Sequence, residues 1–229
     1  RNEYMIQRTK RMVRRTVWAI QKQLKSGEFE PEGVEVVFQG GRIDRVDTME
    51  TDDGKLYVRV IDYKTGNTSF DLVSLYHGLQ LQLMIYMDGA LTVEQNKHKD
   101  KDVIPAGVFY YNIKDPMIQE KIDADVEAVS AGLMKELKMN GLAQADPELV
   151  YRMDSSLGSI PVAFNKDGSF RKNSSVADRT QFAVLGRYVR TKIEKIRSSI
   201  LEGDAEVSPY ELGKKKCVYL LSVYDGMRI

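Results

Sequence analysis

The sequence predicts an α/β fold in a single domain. Three observations predict it. Stretches with the two-residue alternation of strands are interleaved with stretches of helical periodicity. The 229 residues suffice for one sizeable core. No repeat, low-complexity tract or linker divides the chain.

Residues 3–26 carry Met5, Met12, Val13, Val17, Ile20 and Leu24 at helical spacing, with Arg8, Lys10, Arg11, Arg14, Arg15, Lys22 and Lys25 between them. This predicts a long amphipathic helix whose apolar side faces the core. "EFEPEG" ends it, and "VEVVF" and "GRIDRVD" follow as strands. "ETDDGK" is a hairpin turn with an Asp-Gly signal, leading into the strand "KLYVRVIDYK". From Asp71, a suitable N-cap, to about Asn96 the pattern is helical. "VIPAGVFYYNI" (103–113) is apolar enough for a buried strand, and residues 123–140 form another helix. "SIPVAFNKDGSF" suggests a short hairpin, and residues 175–202 a long helix stopped by Gly203. The tail from Ser208 is irregular.

Composition excludes more than it identifies. Hydrophobic residues at 42% and charged ones at 29% are those of an ordinary globular protein. A net charge of +1 names no partner. No apolar run approaches the length of a membrane span, so no membrane association is expected. A single cysteine precludes an internal disulfide and suits a reducing cytoplasm. The Arg-rich start lacks the serines of a transit peptide.

The stretch "YVRVIDYKTGN" (57–67) carries the chemistry. Its apolar alternation ends in Asp62 and Lys64, which share one face of the strand, with Tyr63 on the other. With the turn centred near Asp53, Asp44 lies nine residues before it and Asp62 nine after. Antiparallel pairing then sets the two carboxylates side by side, with Lys64 on the same face. Two adjacent carboxylates stay ionised only with a cation between them, and a hard divalent ion is the usual answer. A lysine beside such an ion can orient an attacking water or stabilise charge developing on phosphate. The alternative reading is a surface hairpin with a charged rim.

"GGRIDRVD", "VIDYKTG" and "GLQLQLMIY" in that order resemble the RecB-like nucleases of the PD-(D/E)XK superfamily, most closely the AddB-type nuclease domains of bacterial helicase–nucleases. The resemblance implies a restriction-endonuclease-like core, a central mixed sheet flanked by helices. It implies an Mg²⁺-dependent (or Mn²⁺-dependent) DNA exonuclease in double-strand-break processing. Single-stranded DNA and an AddA-like helicase–nuclease subunit are the partners implied. A stand-alone RecB-family exonuclease and an inactive DNA-binding module are the alternatives. By the same resemblance Asp44 and Asp62 are metal ligands, with the Tyr63 carbonyl completing the shell. Lys64 is the catalytic lysine, and Gln82 and Tyr86 form the Gln-x-x-x-Tyr motif. Their spacing puts both on one helix face. The family also has an upstream ligand, often His, on a helix preceding this sequence, so the sequence is expected to be part of a longer chain. Its [4Fe–4S] site needs four cysteines, against Cys217 alone here. Arg45 is a further candidate for phosphate, with a salt bridge to Asp47 as the other reading. Arg11 and Arg15 on the first helix are candidates for tracking a DNA backbone.

Overall fold

The computed structural model describes residues 2–117 and 125–204, together with 211–212 and 215–216. Six strands form one mixed sheet in chain order: β1 (Glu30–Phe38), β2 (Gly41–Glu50), β3 (Lys55–Lys64), β4 (Asp102–Asn112), β5 (Asn140–Gln144) and β6 (Val176–Ala177). The first three pair antiparallel, β4 runs parallel to β3, β5 antiparallel to β4, and β6 parallel to β5. Parallel neighbours need a crossover. Between β3 and β4 it is made by α2 (Leu72–Tyr76) and α3 (Gln82–Lys97). The remaining helices are α1 (Asn2–Lys25), α4 (Val126–Glu136), α5 (Pro147–Met153) and α6 (Arg179–Leu201). Strands β7 (Glu211–Leu212) and β8 (Lys215–Lys216) pair separately.

Two apolar layers cover the sheet. Leu83, Met84 and Met87 of α3 pack with Phe182 and Val189 of α6 against Val46, Val58 and Val60. On the other face Ala19 of α1 and Leu149, Val150 and Met153 of α5 pack against Ile61 and Phe109. The mixed sheet flanked by helices is thus as the sequence implied.

Several elements differ from the sequence expectation. The helix expected from Asp71 to Asn96 is two. Asp71 does cap α2, accepting from the Val73 and Ser74 amides, but Gly78 then takes a left-handed φ of +85° and breaks the helix. The Gln80 side chain holds the intervening chain out of helical form, accepting from Asp71 N–H (2.9 Å) and donating to Ser69 O (2.8 Å). The helix expected over 123–140 is the shorter α4, and Asn140 already belongs to β5. α5 is an addition, opened by Asp146 accepting from the Glu148 and Leu149 amides, with Pro147 in its first turn. β1 begins at Glu30 and carries Pro31, tolerated on an edge strand beside a bulge. On α1, Met5, Val13 and Val17 are exposed, and the buried positions are Ala19 and Gln23.

The β2–β3 hairpin is pinned from inside. Its turn closes with Gly54 N–H to Thr51 O (3.0 Å) and Thr51 N–H to Lys55 O (3.0 Å). Asp47 sits opposite Arg59 in the ladder. Arg45 donates to Asp47 Oδ1 and Oδ2 at 2.6 and 2.7 Å, and Arg59 donates to Oδ2 at 2.5 and 3.0 Å. All three residues are at most 3% exposed. The Arg59 guanidinium also lies 4.9 Å from the Phe29 ring centroid. Removing the one anion would leave two uncompensated buried cations. Asp47→Ala is therefore expected to cost about 3–5 kcal/mol, lowering the melting temperature on the order of 10 °C in calorimetry. A change within about 2 °C would show the carboxylate to be dispensable.

Candidate active site

The β2–β3 ladder runs to Arg45 opposite Ile61. The next residues outward are Asp44 and Asp62, the juxtaposition that the turn position implied. Asp44 Oδ2 accepts from the Tyr63 backbone N–H at 2.8 Å, which ties the end of β2 to that of β3. Asp62 is buried, its side chain 3% exposed.

Lys64 projects on the same face as Asp62. Its Nζ lies 2.7 Å from Asp62 Oδ2, off the line that a hydrogen bond requires, so the contact is ionic and the oxygen accepts no hydrogen bond. The ammonium instead donates to Gln82 Oε1 at 2.7 Å. Gln82 Nε2 donates to the Tyr86 hydroxyl at 2.8 Å, one turn along α3. The five side chains Asp44, Asp62, Lys64, Gln82 and Tyr86 thus form one group at the carboxyl end of β3 and the amino end of α3.

Burial is the largest influence on Asp62 and pushes its pKa above the usual carboxylate range. Lys64 acts in the opposite sense, and the nearby charge of Asp44 adds to the rise. The donor set is all oxygen: two carboxylates, one with an oxygen lacking a hydrogen bond, and the carbonyl of Tyr63 between Asp62 and Lys64. That set fits a hard divalent cation such as Mg²⁺, which needs few carboxylates and keeps water. Among the described residues no cluster of three or more His, Cys, Asp or Glu is present. Cys217 lies outside the described residues.

The arginines stand elsewhere. Arg45 is committed to Asp47 and to the Tyr63 hydroxyl (3.2 Å), so the salt-bridge reading of this residue is the one the fold contains, and its guanidinium is not presented for phosphate. Arg11 is paired with Asp115 at 3.2 Å. Arg15 is paired with the same carboxylate and donates to Pro116 O at 2.6 Å. Both belong to α1, which packs on the sheet face opposite α3.

The sequence reading missed three neighbours. Tyr110, opposite Asp62 on β4, lies under Lys64, with Nζ 5.5 Å from the ring centroid. Burial, then the charge of Asp62, pushes its phenol up to about 12, so it stays neutral. Asn112 and Asn140, at the ends of β4 and β5, clamp the loop that follows Lys64. Asn112 accepts from Thr68 N–H (3.0 Å) and donates to Thr68 O (2.9 Å). Asn140 donates to Thr68 O (2.9 Å) and accepts from Phe70 N–H (2.6 Å). Each asparagine amide takes the place of a backbone peptide group. An Asn at the end of a strand, before a glycine in the case of Asn140, was the only signal.

Residues 1–219 match the family model of the PD-(D/E)XK nuclease superfamily. The chain belongs to that superfamily. Superfamily nucleases generally use divalent metal ions, in keeping with the oxygen-rich pair here. The chain is 38% identical over 96% of its length to the B subunit of the ATP-dependent helicase/deoxyribonuclease of Lachnoclostridium phytofermentans. It is 35% and 37% identical, again over 96% of its length, to the proteins of that name from Alkaliphilus metalliredigens and Clostridium acetobutylicum. It spans only about a fifth of each: 20%, 21% and 21%.

A folded carboxylate with a raised pKa keeps a proton that the unfolded chain releases. Stability therefore falls as pH climbs from about 3.8 through the higher folded value. Asp62→Asn removes the charge. Without metal at neutral pH the variant should melt a few degrees above the parent, the scale of roughly 1 kcal/mol in a chain of this size. The gap should close below pH 3.8, where both side chains are neutral. A lower melting temperature at neutral pH would mean that the Lys64 pairing outweighs burial.

Proposed function

We propose that this chain is the nuclease domain of a helicase–nuclease B subunit, and that it hydrolyses DNA phosphodiester bonds with Mg²⁺ or Mn²⁺ at Asp44, Asp62 and the Tyr63 carbonyl. The observation that carries this reading is the position of the Lys64 ammonium, 2.7 Å from Asp62 Oδ2 and 2.7 Å from Gln82 Oε1. A lysine so fixed beside two carboxylates has little to add to folding, and its place suits a reaction at phosphorus.

A divalent ion at the two aspartates would supply Lewis-acid polarisation of the phosphate and a more acidic water. The protein's own part is positional. Asp62 and Gln82 fix Nζ, so the ammonium is already aimed when negative charge develops on a phosphoryl oxygen or when a water is oriented for attack. Tyr86 fixes the Gln82 amide through its hydroxyl and so sets which end of the amide meets Lys64. Tyr110 and the apolar strands behind it exclude water from the back of the ammonium, which strengthens its field at the substrate.

The reading extends to an exonuclease acting on single strands in double-strand-break processing, in the bacterial cytoplasm, with an AddA-like subunit supplying unwound DNA. The names and similarity of the relatives support that extension. No helix among the described residues is long and apolar enough to cross a membrane.

Lys64→Ala is expected to lose at least roughly 100-fold in DNA cleavage rate, the scale of one lost electrostatic donor, while keeping its melting temperature. A large fall in melting temperature would instead make Lys64 a structural ion-pair partner. Calorimetric titration with Mg²⁺ or Mn²⁺ should show binding that Asp62→Asn abolishes. Equal binding by the variant would place the ion elsewhere.

A further inference from the structure

The surface beside α2 has no part in the site described above, yet it is joined to it. Tyr76, the last residue of α2, is 61% exposed. One face of its ring stacks on Tyr188 of α6, with centroids 5.5 Å apart and planes 9° from parallel. His77 meets the same ring edge-on at 5.1 Å. The backbone carbonyl of Tyr76 accepts from the Tyr188 hydroxyl and from Lys192 Nζ (3.4 Å). The tyrosine is therefore held flat on α6 with much of its ring in solvent.

The charge along this helix has one sign. α6 carries six basic residues and one acidic. Arg179 and Arg190 are paired with Asp102 and Asp88. Lys192 and Lys195 lie four and seven residues after Tyr188, on the same side of the helix. Neither is paired with a carboxylate among the described residues. A stacked aromatic with an open face and a row of ammonium groups beside it is what a single-stranded nucleic acid uses: a base on the ring, phosphates along the cations.

The platform is tied to the reaction centre. Tyr76 lies six residues before Gln82, which limits their separation to about 20 Å even for extended chain. The chain between Lys64 and α2 is clamped at Thr68 by Asn112 and Asn140, and Gln80 bridges Ser69 to Asp71. The site and the ring are thus connected by hydrogen-bonded loop on one side and by the start of α3 on the other.

We infer that Tyr76, stacked on Tyr188 and flanked by Lys192 and Lys195, is a docking platform for single-stranded DNA on its way to or from Lys64. The inference deepens the nuclease reading and rests on it for the choice of DNA.

The test is fluorescence anisotropy of a labelled oligodeoxythymidine with the protein in EDTA, where no cleavage occurs, beside a blunt duplex of the same length. Tyr76→Ala should weaken single-strand binding about tenfold, the scale of one lost base–aromatic stack, while Tyr76→Phe stays within about twofold of the parent. Duplex binding should be unaffected, and the melting temperature of Tyr76→Ala should be unchanged. If that variant does not fold, Lys192→Ala with Lys195→Ala gives the second reading. The slope of log affinity against log salt should then become shallower by about 1. Undiminished single-strand binding in a folded Tyr76→Ala, equal loss on duplex, or an unchanged salt slope in the double variant overturns the platform. A parallel Mg²⁺ cleavage assay separates the two readings. Tyr76-dependent binding without cleavage defeats the nuclease and leaves the platform. Cleavage with Tyr76-independent binding does the reverse.

Discussion

The carboxylate of Asp47, enclosed between the guanidinium groups of Arg45 and Arg59, permits one alignment of β2 against β3. In a ladder with period two, a slip by one residue turns every side chain to the other face. Such a slip would carry Asp47 away from both arginines and leave each cation buried without a counter-charge. The hydroxyl of Tyr63 completes the arrangement by accepting from Arg45. Because the register is fixed on the inner face, Asp44 and Asp62 are forced together on the outer one, where nothing apolar would have kept them. Buried ion pairs often add little to net stability, but they exclude alternatives, and here the excluded alternative is a hairpin with its two aspartates apart.

The site lives with a conflict that the rest of the molecule does not share. Asp62 is buried, near a second carboxylate, and has one oxygen without a hydrogen bond. Lys64 relieves this only in part, because it is also engaged by Gln82. Elsewhere buried carboxylates are well satisfied. Asp154 is opposed by burial yet held below the usual carboxylate range by donors from Ser156 and Ser159. The contrast separates a carboxylate that the fold uses as a fastening from one that the fold leaves short of partners. Strained polar groups of the second kind are where binding of an external cation has most to gain.

The hairpin was legible in the sequence because its information is local. The Asp-Gly turn and a count of residues along two alternating strands sufficed to place Asp44 beside Asp62, and the register of the ladder agrees. Asp71 as a cap and the turn between Phe164 and Phe170 were legible for the same reason. What was not legible depends on distant contacts. The break at Gly78 is sustained by Gln80 bonding to residues nine and eleven positions earlier. Tyr110 reaches Lys64 through parallel pairing, whose register no adjoining turn dictates. On α1 the periodicity told which residues share a side, not what covers them, and Met5 and Val17 stand in solvent. Asp146 and Pro147 did signal the start of α5, but the helix is too short for its periodicity to stand out.

Gly89 shows how the reaction centre is coupled to a position that touches none of its chemistry. A Cβ added there would come within 2.4 Å of the Phe38 ring, which lies over α3 from the end of β1. The same ring meets Tyr86 edge-on at 5.9 Å, and Tyr86 is bonded to Gln82, which is bonded to Lys64. A methyl group at position 89 would displace Phe38 and, through three successive contacts, the ammonium. Positions 38 and 89 are therefore inherited as a pair: a smaller ring-site residue licenses a larger one on the helix, and drift at either alone is visible to selection on the rate of the enzyme.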